Sequence, residues 1–127
     1  MQNCTSVAMT AKRKAFVVED EDIVAMLTED FLEVLGNEIA FSAATLQTGL
    51  KIAASEQFDF CILDINLRGE RSFPIAEILT LRSIPYLFVS GYSREGIESQ
   101  FVNVPLLSKP FTLQSLDMAI SKLLTDG

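Results

Sequence analysis

The sequence predicts an α/β fold: a doubly wound domain whose parallel five-stranded sheet is covered by helices on both faces. Three observations lead there. Short runs rich in β-branched and aromatic residues alternate with helical segments, and short turns join them. Few of the runs alternate apolar with polar residues, so the sheet they build has no wet face. Consecutive parallel strands need crossovers, and right-handed crossovers lay helices against the sheet.

Residues 1 to 12 read as a flexible tail and 13 to 125 as one folded unit, because a chain of 127 residues is long enough for a single core. AFVVE (15–19) is the first strand. DIVAMLTEDFLEVLG (22–36) is a helix with Ile23, Met26, Leu27, Phe31 and Val34 at helical spacing and Gly36 where a left-handed cap belongs. EIAFSAA (38–44) forms the second strand, TLQTGLKIAASE (45–56) the second helix and FDFCILD (58–64) the third strand. After a loop at 67–71, PIAEILTLRS (74–83) is a helix with Pro74 in its first turn, where a missing N–H does no harm. PYLFVS (85–90) is the fourth strand, SREGIESQF (93–101) a short, weakly patterned helix and VPLLS (104–108) the fifth strand. TLQSLDMAISKLL (112–124) closes the fold, with an apolar stripe of Leu113, Leu116, Ile120, Leu123 and Leu124.

Composition excludes several functions. With 10 basic and 17 acidic side chains the net charge is −7, the wrong balance for a nucleic-acid footprint. Lys12, Arg13 and Lys14 read as a solvated strand edge. The chain has no histidine, so imidazole bases and Cys/His zinc sites are ruled out within it. Cys4 and Cys61 are a poor pair for a disulfide and read as reduced thiols of a cytoplasmic protein. The N-terminus does not resemble a secretory signal, and no run approaches the roughly 18 apolar residues of a membrane span.

In a doubly wound sheet, ligands bind outside the carboxyl ends of the strands. The first strand ends in Glu19 and Asp20, followed by Glu21 and Asp22; the third ends at Asp64, the fourth at Ser90, and the fifth leads into Lys109 and Pro110. Each has an ordinary explanation alone, as a helix cap, a turn or a loop entry. Together they describe one chemistry. Converging carboxylates repel unless a cation neutralises them, and oxygen donors without histidine point to Mg2+, with Mn2+ able to substitute. A serine hydroxyl and a lysine ammonium facing that cluster suit a phosphoryl group in transfer. Asp64 then becomes a nucleophile that takes up the phosphoryl group as an acyl phosphate.

At these landmarks the chain resembles the receiver domain of two-component response regulators, the CheY-like family. VVEDED, ILDINL, FVSGY and LLSKPF occur in the family's order, and the likeness runs over residues 14 to 124. The resemblance implies a flavodoxin-like (βα)5 sandwich with strand order 2-1-3-4-5. It implies Asp64 as phosphoacceptor, Glu19 and Asp20 as the acidic pair holding Mg2+, and Asn66 lending its backbone carbonyl to the metal. It implies Ser90 as the switch hydroxyl, Lys109 as the phosphoryl-pairing lysine, and a cis peptide at Lys109–Pro110.

Three features depart from the family pattern. Leu106 stands three residues before the lysine, where an aromatic is usual, and Arg68 stands where a proline is common. The segment GYSREG after the fourth strand is short and glycine-bearing. With PYLFVSGY and DINLRGE, these features resemble stand-alone receivers of alphaproteobacterial type. Tyr92 is then a candidate to replace the aromatic missing at Leu106.

The expected function is that of a receiver accepting a phosphoryl group from a phosphohistidine of a sensor histidine kinase or histidine phosphotransfer protein. Its output would pass to a downstream protein through the surface of the fourth helix, fourth strand and fifth strand, or as the phosphoryl group itself. Catalysis beyond its own phosphorylation and dephosphorylation is not expected, nor is a nucleic-acid or membrane partner. Two rivals share features with it: an aspartyl phosphatase of haloacid-dehalogenase type, which needs more chain and a nucleophile on its first strand, and a receiver-like binding module that signals without phosphorylation.

Overall fold

The computed structural model describes residues 12–91 and 96–126. The tail expected at the N-terminus falls outside these residues up to position 11, and so do Cys4 and Tyr92. The elements run β1 (Lys14–Val18), α1 (Asp22–Val34), β2 (Glu38–Ala43), α2 (Leu46–Ser55), β3 (Phe60–Asp64), a hairpin of β4 (Asn66–Leu67) and β5 (Glu70–Arg71), α3 (Phe73–Leu81), β6 (Tyr86–Ser90), a 3-10 helix (Ser99–Phe101), β7 (Leu106–Ser108) and α4 (Leu113–Asp126).

The sheet is parallel throughout, in the order β2-β1-β3-β6-β7. This is the expected doubly wound topology. Side chains alternate between its faces, and both faces are covered: Phe16, Val18, Cys61, Leu63 and Phe88 belong to a core shared with α2 and α3, while Ala15, Val17, Ile62, Leu87 and Val89 belong to a core shared with α1 and α4. That explains why the central strands carry almost no polar residue until they end. Cys61 is a free, fully buried thiol, and burial pushes its pKa well up.

Local chemistry sets the helix ends. Thr45 Oγ1 accepts the Thr48 N–H at 3.2 Å and starts α2. Thr112 and Ser115 exchange reciprocal bonds of 2.9 and 3.0 Å ahead of α4. Beyond α1, Gly36 has φ 91°, its N–H bonds to Glu33 O, and the Asn37 N–H bonds to Leu32 O. This Schellman arrangement is the left-handed cap expected at that glycine. Arg82, at the end of α3, donates to Ala53 O at 2.6 Å and Glu56 O at 2.9 Å, tying the two helices together at their C-terminal ends.

Three readings change. Of the apolar stripe assigned to α1, only Phe31 packs against the core: Ile23 is 81%, Met26 63% and Val34 70% exposed, whereas Thr28 and Leu32 are buried. The helix is apolar around much of its circumference, so spacing alone does not choose a face. Thr28 can be buried because its hydroxyl donates to Val24 O at 2.8 Å. The loop expected at 67–71 is a tight β-hairpin. Where a helix is expected over 93–101, the described part forms only the 3-10 turn at Ser99–Phe101. Among the described residues no helix is long and apolar enough to cross a membrane.

Candidate functional site

The carboxyl ends of β1, β3, β6 and β7 surround a cleft of about 470 Å3 lined by Asp20, Glu21, Asp64, Asn66, Ser90, Gly91 and Lys109. Each side chain arrives there for a local reason. Asp64 is the last residue of β3, buried with Ile62 and Leu63 behind it, and its Oδ1 accepts the Asn66 N–H at 3.2 Å. Ser90 ends β6 and is buried. Its carbonyl accepts the Lys109 N–H at 2.9 Å, which brings the chain after β7 alongside β6 and aims the lysine at the cleft. The Lys109–Pro110 peptide is cis, as expected.

Glu19 leaves β1 with its N–H bonded to Ala43 O at 2.9 Å, and its Oε2 accepts the Glu21 N–H at 3.1 Å. The Lys109 ammonium lies among the acids, 3.0 Å from Glu19 Oε1, 3.0 Å from Asp64 Oδ2 and 3.4 Å from Glu21 Oε1. Burial pushes the Glu19 carboxyl up to about 7, outweighing the hydrogen bond from Lys109. Asp64 is raised for the same reason, against the hydrogen bonds it shares with Glu19 and Lys109. Burial alone would lower Lys109, but its bonds to the two carboxylates hold it above the ordinary lysine value. The ammonium is thus the fixed charge of the site, and the acids adjust to it.

Glu19, Asp20 and Glu21 can each present an oxygen within 4.8 Å of the others. Clustered carboxylate oxygens of this kind fit a hard divalent cation such as Mg2+. The hairpin leaves one further oxygen without a ladder partner. The Ser72 N–H bonds to Ile65 O at 2.8 Å. Pairs alternate in an antiparallel ladder, so the next pair, Asn66 and Arg71, takes the non-bonded position and the Asn66 carbonyl is left out of the ladder.

Of the residues singled out in the sequence, Glu19, Asp20, Asp64, Asn66, Ser90 and Lys109 are brought together. Leu106 is not among them; it pairs with Phe88 and packs, half-buried, against the core on the α2 and α3 side. Two participants had gone unassigned. Glu21 reaches Lys109, and the N–H of Arg68 donates to Asp20 Oδ2 at 2.9 Å. Glu21 was visible in the acidic run EDED. The hairpin had only the Arg-Gly dipeptide to signal a two-residue turn.

Comparison with known proteins agrees with this arrangement. The family model for the response regulator receiver domain matches residues 15–121. Among curated proteins, the sensory transduction protein LytR of Streptococcus agalactiae is 33% identical over 116 residues, covering 86% of this chain and 47% of LytR. The transcriptional regulatory protein CrdR of Helicobacter pylori is 25% identical, over 91% of this chain and 56% of CrdR. The chain therefore spans about half the length of the curated relatives it matches. Among solved structures, SdrG from Sphingomonas melonis Fr1 superposes with a TM-score of 0.80 at 40% identity, covering 89% of this chain and 97% of that one. The receiver domain of the Erythrobacter litoralis PhyR response regulator gives 0.81 at 28% identity, covering 93% of each chain. With a family model spanning its sheet from β1 into α4, the chain belongs to the response regulator receiver domain family.

Proposed function

We propose that this chain is a phosphorylatable receiver whose phosphoacceptor is Asp64. The observation that carries the reading is the Lys109 ammonium held 3.0 Å from Asp64 Oδ2 at the edge of an acidic cleft, a charge arrangement built for a carboxylate that gains and loses a phosphoryl group. In the step itself, an Asp64 oxygen attacks phosphorus of a phosphohistidine on a sensor kinase or phosphotransfer protein. The P–N bond breaks as the P–O bond forms, and the electron pair leaves with the imidazole. Lys109 neutralises charge on the incoming group, and Ser90 offers its hydroxyl to a phosphoryl oxygen. Glu19, Asp20 and the Asn66 carbonyl, with Glu21 at hand, would hold Mg2+, which when bound supplies further charge neutralisation on the phosphoryl oxygens.

The donor must reach Asp64 through the cleft mouth. Beside that mouth lies an apolar groove of Val24, Leu27, Pro110 and Phe111 that shares Lys109 with the cleft, and Ile23 and Met26 stand exposed on the same helix. This rim supports docking of the phosphohistidine-bearing partner against α1. The phosphorylated chain then shifts between two conformations and signals through the surface around β6 and β7, to the extent that the phosphoryl group's contacts differ between them.

The test is incubation with Mg2+ and a small phosphodonor, followed by intact-mass measurement. One added phosphoryl group, absent in Asp64→Asn, is the expected result. No mass gain would favour a receiver-like module that signals without phosphorylation, and sustained hydrolysis of phosphate esters would favour an aspartyl phosphatase.

A further inference from the structure

The turn after β3 adopts an unusual conformation for its sequence. Leu67 pairs with Glu70, leaving Arg68 and Gly69 at the tip with φ of 54° and 86°. Positive φ at both positions is the signature of a type I′ turn, which glycine, asparagine or aspartate usually supplies at the first position. Arginine there is held in a left-handed conformation that L-residues disfavour. The turn is fixed from two sides: Leu67 is fully buried, and the Gly69 N–H donates to Asn66 Oδ1 at 3.1 Å. What this conformation achieves is a single long-range bond, from the Arg68 N–H to Asp20 Oδ2 at 2.9 Å, between residues 48 positions apart. Asp20 lies beside Glu19 and Glu21, and carboxylates grouped this closely repel one another when ionised.

We propose that the Arg68 main-chain N–H is a positioning group for Asp20. It holds one carboxylate oxygen, leaves the other for a divalent cation, and so sets the affinity of the acidic cluster for that cation. The inference rests on reading that cluster as a Mg2+ site. It also gives the departure at position 68 a physical meaning. A proline there has no N–H to donate and a φ fixed near −65°, so it could neither make the bond nor form this turn. The side chain is incidental: glycine would keep the N–H and adopt the turn with less strain.

The experiment is Mg2+ titration followed by NMR on three forms of the chain: wild type, Arg68→Gly, and a form in which an ester replaces the amide of residue 68, deleting the N–H while keeping the side chain. Wild type and Arg68→Gly bind with Kd values within about twofold of each other, and the ester form binds about tenfold more weakly, the loss expected for one hydrogen bond to a charged group. An ester form that binds as tightly as wild type overturns the positioning role and leaves the metal site standing; a wild type that does not bind Mg2+ overturns both. If the ester form does not fold, the Arg68 amide of the uniformly labelled protein decides. Its hydrogen exchange rises at least about tenfold in Asp20→Ala if the bond holds it, and an unchanged rate ends the proposal.

Discussion

Lys109 holds its ammonium 3.0 Å from Asp64 Oδ2 although the two residues are 45 positions apart and the strands that deliver them are separated in the sheet by β6. The contact exists because the parallel topology brings every strand's carboxyl end to one edge. It joins a buried carboxylate to a lysine whose charge is shared with Glu19 and Glu21.

Removing that charge has a definite effect. In Lys109→Ala, Glu19 and Asp64 remain buried without their common cation, so the metal-free protein at pH 8 loses about 3 kcal/mol of stability in urea denaturation. Saturating Mg2+ recovers part of the loss. A variant as stable as wild type without Mg2+ would show that the ion pairs contribute nothing.

Glu19 makes stability depend on pH. Its carboxyl sits at about 7 in the folded protein, raised by burial from an ordinary 4.5. Between those values the folded state keeps a proton that the unfolded chain has released, and stability falls wherever the folded state binds more protons as pH rises. In EDTA, the urea midpoint therefore declines from about pH 4.5 to about pH 7 and then levels off. Midpoints that climb through this window in EDTA contradict a Glu19 carboxyl raised by burial in spite of its bond to Lys109.

The exposed face of α1 separates docking from chemistry. Met26→Ser and Leu27→Ser, at 63% and 43% exposure, change stability by no more than about 0.5 kcal/mol. Phosphorylation by a small donor proceeds as in wild type, whereas transfer from a histidine kinase or phosphotransfer protein slows by at least about tenfold. Equal slowing with both donors would place the effect in the cleft instead.

Gly49 of α2 lies directly against Ile75 of α3. A Cβ built there would stand 2.5 Å from Ile75 Cδ1, so the fully buried Ile75 side chain has to shift within the core to make room. Gly49→Ala accordingly destabilises by about 1–3 kcal/mol, despite alanine's better helix propensity, as thermal or chemical denaturation will register.

The sheet and most of the cleft were legible because both follow from patterns that survive in one dimension. Apolar runs such as FCIL and YLFV have no polar side chain to place on a wet face, which dictates burial on both sides. A strand that stops at Asp64 or Ser90 places that residue at the sheet's carboxyl edge whatever the register. What escaped needed information that is not periodic. The orientation of α1 was misread because Val24, Leu32 and Leu35 compete with Ile23, Met26 and Leu27 for the same role, and only contact with the sheet decides between them. The bond from Arg68 to Asp20 uses a main-chain donor, which leaves no trace in residue identity.

The rings around Phe73 join α3, β6 and the 3-10 turn. Phe73 opens α3 directly after the hairpin; its ring stacks on Phe101 at 5.3 Å and meets Phe88 edge-on at 5.8 Å, while Phe101 also meets Phe88 edge-on at 5.7 Å. One residue of the 3-10 turn is thereby moored to the strand that ends in Ser90. The position of that turn and the strand that delivers Ser90 to the cleft are thus tied through one pair of rings.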